Sequence, residues 1–113
     1  MLYLLGKPLK LNTMANFLIE VSHEADKRSC YEAMEVFIRT GSHFLANADW
    51  GCLDGDHKAL LIVDVDNKEQ ARQIVPPLYR KKAKITKLIK VTREEVDHFR
   101  KEHNLEELDK LHA

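Results

Sequence analysis

Residues 42–66 read SHFLANADWGCLDGDHKALLIVDVD, and this stretch decides the fold. Apolar and polar residues alternate on both sides of a centre that contains Gly51 and Gly55, which predicts two strands joined by a turn. We expect the strands at residues 42–50 and 57–65, closing symmetrically about that turn. The expected cross-strand pairs are then Trp50 with His57, Asp49 with Lys58, Asn47 with Leu60, Leu45 with Ile62, and His43 with Asp64.

The remaining elements follow from changes of period along the chain. Residues 15–21 alternate like a strand, and residues 22–39 carry a helical apolar stripe with Ser22 as its expected N-cap. Asp66 with Glu69 predicts a capping box for a second helix, residues 83–91 return to a strand, and Thr92 with Glu95 opens a C-terminal helix that restarts near Asn104. The predicted order is therefore β-α-β-β-α-β-α.

Right-handed crossovers convert this order into a four-stranded antiparallel sheet in the order 4-1-3-2, with the first two helices on one face. We therefore predict an α+β, ferredoxin-like fold. We expect residues 1–13 to form an N-terminal arm, residues 14–91 the domain, and residues 92–113 a helical extension.

Composition limits the function classes. A chain of 113 residues is one domain, and 18 basic against 18 acidic side chains remove a general attraction to nucleic acid or anionic membranes. We interpret a run of lysine and arginine at residues 80–90 as protection of an edge strand against unwanted pairing. RNA binding is the less favoured interpretation, because no aromatic residues are interleaved with the run. No membrane span, export signal or cofactor motif is evident, and two cysteines without metal spacing favour a reduced, cytoplasmic protein.

The sheet face opposite the helices is too apolar to be left in water. In the expected register it carries Leu18, Leu45, Leu60, Ile62 and Leu88 beside Glu20, His43, Asn47, Asp49, Lys58 and Asp64. One helical layer covers only one face of such a sheet, and an apolar patch on the other face usually marks an interaction surface. We therefore expect a homodimer that forms through this open face.

The β-α-β-β-α-β order with a half-apolar open face resembles the dimeric α+β barrel superfamily, over residues 14–91. The resemblance implies two sheets packed together, with small-molecule pockets between them, and includes cofactor-free isomerases and oxygenases. It carries over no catalytic residue.

Glu20 is the leading catalytic candidate, because desolvation on a central strand raises the pKa of a carboxylate and fits it for acid-base chemistry. The alternatives are that Glu20 meets a lysine or a backbone group across the dimer interface, or simply faces water. His43 opposite Asp64 resembles a base with its orienting carboxylate, and equally an ordinary cross-strand pair. The expected ligand-binding residues around them are Leu18, Asn47, Asp49, Lys58, Leu60 and Ile62.

A second cluster of polar residues is expected at the other end of the sheet, where His23, His57 and Asp56 are metal-ligand candidates. Turn geometry explains the aspartates equally well. Cys30 is expected as a small buried residue and Cys52 as an exposed thiol. The leading hypothesis is thus a small-ligand-binding dimer with cofactor-free acid-base chemistry; the alternatives are a non-catalytic dimerisation module and a metal-binding protein.

Overall fold

The computed structural model describes residues 14–40 and 42–103. The regular elements, in chain order, are β1 (Ala15–Ser22), α1 (Lys27–Arg39), α2 (His43–Ala46), β2 (Asp49–Trp50), β3 (Lys58–Val65), α3 (Lys68–Ile74), β4 (Ala83–Leu88) and α4 (Arg93–Glu102). Single 3-10 segments, Cys52–Asp54 and Pro77–Lys82, precede β3 and β4. The expected N-terminal arm and the final turn near Asn104 lie outside the described residues.

The four strands form one antiparallel sheet in the order β2-β3-β1-β4. This is the predicted order read from the other edge, so the predicted α+β architecture is confirmed. Strand β1 is central: Glu20 pairs with Leu60 of β3 on one side and with Lys84 of β4 on the other. Because directly paired residues project to the same face, these three side chains form one row across the open face.

The core lies between one sheet face and the helices. Strand β1 contributes alternate residues to it, as the period of a half-buried strand requires, and α1 contributes Phe37, which is fully buried. The strand side chains of the core are Phe17, Ile19, Val21, Ala59, Leu61, Val63, Ala83 and Ile85, and those from helices and turns include Ala33, Leu45, Ala71, Val75 and Tyr79.

The first half of the predicted hairpin is wrong. Instead of a strand over residues 42–50, the chain forms the short helix α2 and then a strand of only two residues. Ser42 caps this helix by accepting a hydrogen bond from the backbone N–H of Leu45, and the Asn47 side-chain amide donates to the His43 carbonyl. These local bonds satisfy backbone groups that a strand would have paired with β3.

The predicted hairpin register is wrong as well, by two residues. Asp49 pairs with Leu60 rather than with Lys58, and Trp50 pairs with Ala59 rather than with His57. Since His43 lies on α2, it forms no cross-strand pair with Asp64. The symmetrical closure fails because the turn is a longer loop, with a 3-10 segment and with Gly55 in the left-handed region at φ 86°.

Helix boundaries differ from the predicted ones at two N-termini. Ser22 still belongs to β1, and Asp26 caps α1 by accepting from the backbone N–H of Ser29. Asn67, not Asp66, caps α3. The Thr92–Glu95 capping box of α4 is confirmed.

Within residues 14–40 and 42–103, no helix combines the length and apolar character needed to cross a membrane.

Candidate functional site

Four potential metal donors meet at one end of the sheet. They are the imidazoles of His23 and His57 and the thiols of Cys30 and Cys52, and one donor atom from each lies within 4.8 Å of the others. His23 and Cys30 are buried, whereas Cys52 and His57 are half-buried. We call these four residues the His/Cys cluster; its donor set could hold a metal ion.

Backbone pairing positions the two histidines. His23 directly follows β1, and its backbone N–H donates to the His57 carbonyl over 3.1 Å. This bond continues the β1–β3 ladder for one step beyond the last pair, Ser22 with Lys58. The two imidazoles therefore come together at 5.8 Å between ring centroids, with an edge-to-face arrangement.

Helix α1 positions Cys30 in its first turn. Asp26 caps the helix with both carboxylate oxygens, which accept from the backbone N–H and the hydroxyl of Ser29. The stripe that buries Ala33 and Phe37 also turns Cys30 inward. Because these residues follow one another at helical spacing, burial of the helix brings the thiol against His23.

The loop between β2 and β3 supplies Cys52 and His57. Its closure depends on Gly51, whose carbonyl accepts from the backbone N–H groups of both Asp54 and Asp56. A Cβ atom at residue 51 would lie 2.6 Å from the Asp56 carbonyl oxygen, so only glycine fits this approach. The compact loop turns both donors back toward His23 and Cys30.

Three of the six separations between donor atoms are close to those of a tetrahedral site, and all six are within 4.8 Å. His23 Nε2 lies 3.1 Å from Cys30 Sγ and 3.3 Å from Cys52 Sγ, and Cys30 Sγ lies 3.4 Å from His57 Nδ1. Donors bound tetrahedrally at zinc–nitrogen and zinc–sulfur bond lengths are about 3.3–3.8 Å apart. To surround one ion, the cluster would have to draw together any donors that are farther apart than this range.

Hydrogen bonding alone leaves the cluster underpaired. His23 Nε2 contacts two sulfur atoms but offers either one proton or one lone pair. His23 Nδ1 is buried and lacks a hydrogen-bond partner among the residues described. The His23 ring is therefore oriented by the contacts of its Nε2 atom with the two thiols.

Burial lowers the pKa of His23 from its ordinary value, and the neighbouring His57 lowers it further, while Asp26 opposes the shift. His23 is therefore neutral at pH 7, which is the form that binds metals. Burial raises the pKa of the Cys52 thiol, and the adjacent Cys30 adds to this effect. A bound cation reverses such a preference, because a coordinating thiol loses its proton.

The sequence identified half of this cluster. His23 and His57 were expected as metal-ligand candidates, but Asp56 is exposed and lies 3.8 Å from the Lys58 ammonium instead. Cys52 is half-buried with its sulfur against His23, so the expectation of an exposed thiol is wrong. Cys30 was missed because its helical position explains its burial; the available signal was that its helix begins just after His23.

Glu20 lies on the open face and forms an ion pair within the chain. The Lys58 ammonium donates to Glu20 Oε1 over 2.9 Å, and both side chains are mostly buried. This bond, more than the charges of Lys58 and Lys84, lowers the pKa of Glu20, and burial only partly opposes the shift. The pKa of Lys58 is raised by the same bond. The expected rise in the pKa of Glu20 is therefore wrong, and its acid-base role stays a prediction.

A depression of about 480 Å³ lies along β3, at the edge that the short β2 leaves uncovered, and its lining takes residues from both faces of the sheet and from α2. Most of the residues expected to bind a ligand line this depression. His43 and Asp64 both line it as well, although they are not strand partners. Its lining includes Leu18, His43, Asn47, Asp49, Leu60, Ile62 and Asp64, but neither Glu20 nor Lys58. The structure thus divides the predicted site into an ion pair and a separate depression.

Comparison of the whole chain with models of known protein families, with curated proteins and with solved structures finds no match.

Proposed function

We propose that this protein binds a transition-metal ion, with Zn²⁺ as the preferred one, through His23, Cys30, Cys52 and His57. The observation that carries the proposal is the convergence of two imidazoles and two thiols, with one donor atom from each within 4.8 Å of the others. The donors come from the end of β1, from α1 and from the β2–β3 loop, so folding is what assembles them.

The donor chemistry favours zinc over the other divalent ions. Thiolate and imidazole ligands suit zinc, whereas magnesium and calcium select oxygen ligands. Two thiolates also neutralise the charge of a divalent ion, which matters because two of the four donors are buried. Four protein ligands in a tetrahedral arrangement are typical of zinc that supports a fold.

A cytoplasmic location belongs to the same proposal. Both cysteines are free thiols, and reduced thiols persist in the cytosol.

Cobalt(II) is the direct probe, because it accepts zinc ligands and reports their identity by absorption. We expect the purified protein to bind one Co²⁺ per chain, with a near-ultraviolet sulfur-to-metal charge-transfer band and the intense visible bands of a tetrahedral ion. Zn²⁺ should displace it. The absence of stoichiometric binding, or an octahedral cobalt spectrum, would overturn the proposal.

Matched variants locate the site. Cys30→Ser and Cys52→Ser each remove one sulfur donor at nearly constant volume, and each should weaken cobalt binding by about 100-fold or more. His98→Ala is the control, because His98 is exposed on α4, where its partner is Glu102. Equal affinities for the serine variants and the control would contradict the assignment.

The depression along β3 supports a second candidate function, which is small-ligand binding by a homodimer. An apolar floor that includes Leu18 and the exposed Ile62 is bordered by Asp49, Asp64 and His43. This pattern favours an organic ligand that carries a cationic group, and the resemblance to dimeric α+β barrels is part of the same proposal. Glu20, held as a carboxylate by Lys58, does not line the depression, so this proposal gives it no role toward the ligand.

Ile62→Lys tests this second function, because it adds charge at an exposed position of the depression. The substitution should convert a dimer to a monomer in analytical ultracentrifugation. Ile38→Lys, at an exposed position of α1, should leave the oligomeric state unchanged. A wild-type protein that sediments as a monomer at micromolar concentration would refute the dimer.

A further inference from the structure

A cavity of about 540 Å³ lies directly against the His/Cys cluster. Cys30, Cys52 and His57 all line it, whereas the lining does not include His23. A metal ion held by the four donors would therefore have His23 behind it and the cavity in front. The cavity is large enough for a small organic molecule.

The cavity has an apolar, partly aromatic wall. Tyr31, Met34, Trp50 and Leu53 line it beside the donors. Tyr31 is 68% exposed and Leu53 is fully exposed, whereas Cys30 at the inner end is only 9% exposed. An apolar ligand that enters would cover the exposed side chains while its leading atom reached the donor cluster.

Cys52 and His57 are the two half-buried donors on the loop that lines the cavity, and His57 is the nitrogen donor that an incoming thiolate would displace. His57 is half-buried, lines the cavity, and belongs to the loop rather than to a strand. Its Nδ1 lies 3.4 Å from Cys30 Sγ, which places it beside the position of the proposed ion. If His57 left the ion, the donor atoms of His23, Cys30 and Cys52 could stay in place.

We infer that the proposed metal centre accepts an external ligand through this cavity, and that the ligand class is a small aryl or alkyl thiol. The inference rests on the proposed metal binding. A thiolate suits a metal that already has sulfur ligands, and the apolar wall suits an aryl or alkyl body. On binding, a metal–sulfur bond forms, the metal–nitrogen bond to His57 breaks, and the thiol proton passes to the freed imidazole; no oxidation is involved.

The experiment uses benzenethiol and the Co²⁺-loaded full chain under anaerobic conditions. Exchange of a nitrogen ligand for sulfur should shift the visible cobalt bands to longer wavelength, saturating at one thiol per chain. Phenol, with the same ring and an oxygen in place of sulfur, should cause no shift. Cobalt bands that stay unchanged at millimolar benzenethiol, or cobalt that leaves the protein, would overturn the inference.

Variants of the cavity wall distinguish thiol binding in the cavity from thiol binding to a metal ion that is simply open to solvent. Tyr31→Ala and Leu53→Ala should each raise the benzenethiol dissociation constant by about fivefold, because they remove apolar contact without touching a metal donor. Ile38→Ala is the control, since Ile38 is an exposed residue of the same helix that does not line this cavity. Equal dissociation constants in all three variants would contradict binding in the cavity.

The two proposals can fail separately. If cobalt itself does not bind, the proposed function fails before any thiol is added. If cobalt binds with a tetrahedral spectrum but benzenethiol leaves that spectrum unchanged, metal binding stands and only the external-ligand inference fails.

Discussion

Glu20 shows that alternation along a strand predicts the sheet face of a residue but not its ion-pair partner. The pattern of β1 correctly predicted that Glu20 lies on the open face. It could not predict the partner, because the Glu20–Lys58 contact depends on the β1–β3 register and on the rotamers of two long side chains. The register places Lys58 diagonally next to Glu20, within reach of its carboxylate. Desolvation, on which the predicted rise in the pKa of Glu20 rested, is therefore outweighed by a charge-assisted hydrogen bond within the chain.

The lowered pKa of Glu20 predicts how stability depends on pH. Because its folded-state pKa lies below the ordinary value of 4.5, the ionised carboxylate stabilises the fold above that value. This contribution is lost as the pH falls through the folded-state pKa. Glu20→Gln should therefore lower the melting temperature by a few degrees at pH 7, and its difference from wild type should vanish in strong acid. Thermal unfolding followed by circular dichroism across acidic pH measures both effects.

Glu35→Gln is the matched control for Glu20. Glu35 pairs with Arg39 over 2.9 Å, but both side chains are more than half exposed, at 62% and 77%. Solvent-exposed pairs of this kind contribute little. The two variants should therefore differ at pH 7, and equal melting temperatures would show that the Glu20–Lys58 pair has no special weight.

Cys30 illustrates why half of the cluster could not be found by spacing. Metal motifs are recognisable when ligands lie close together in sequence at characteristic spacings, whereas Cys52 and His57 share one loop without such a motif. Cys30 joins them only through the packing of α1 against the sheet, and its burial has an equally good explanation as a core position. Tertiary structure, rather than local spacing, creates this donor set.

Among the elements, the error at α2 arises because its sequence satisfies two periods at once. Phe44, Ala46 and Ala48 alternate as in a strand, yet Ser42 and Asn47 can bond the local backbone and close a single helical turn. The short β2 that follows leaves the β3 edge uncovered over most of its length. Strands β1 and β3 span eight residues each, and their buried side chains recur at every second position, which is the period of a half-buried strand.

Helix caps predict different stabilities for α3 and α4. Asn67 accepts from the backbone N–H of Gln70 over 2.9 Å and begins a helix that buries Ala71 completely. Thr92 makes the corresponding bond to Glu95, but none of the residues of α4 is buried. Asn67→Ala should therefore lower the free energy of unfolding by about 1 kcal/mol, whereas Thr92→Ala should mainly increase amide exchange within α4.

Urea unfolding and hydrogen exchange together test this contrast. Asn67→Asp keeps an acceptor at the cap and should restore most of the stability that Asn67→Ala loses. A Thr92→Ala variant as destabilised globally as Asn67→Ala would mean that α4 is coupled to the core, contrary to its exposure.

At the scale of the whole molecule, the order of the elements and the handedness of the crossovers predicted the strand order. Neither of them predicted the His/Cys cluster. Three separate parts of the fold meet there: the end of β1, the first turn of α1 and the β2–β3 loop. A bound ion would tie these three parts together, in addition to contacts such as the 3.1 Å hydrogen bond from the His23 backbone N–H to the His57 carbonyl. A metal ion that binds the folded chain and not the unfolded chain must stabilise the fold.

This linkage predicts the response of the protein to metal removal. With free Zn²⁺ at about 100 times its dissociation constant, binding to the folded state should raise the melting temperature by about 10 °C. A chelator should reverse the increase in the wild type. Cys52→Ser, which keeps the loop but lacks one donor, should melt at nearly the same temperature with zinc as with chelator, because its affinity is too low for the ion to bind. If wild type and Cys52→Ser respond equally to both additions, zinc is not held by the cluster, and any stabilisation comes from ions bound elsewhere on the chain.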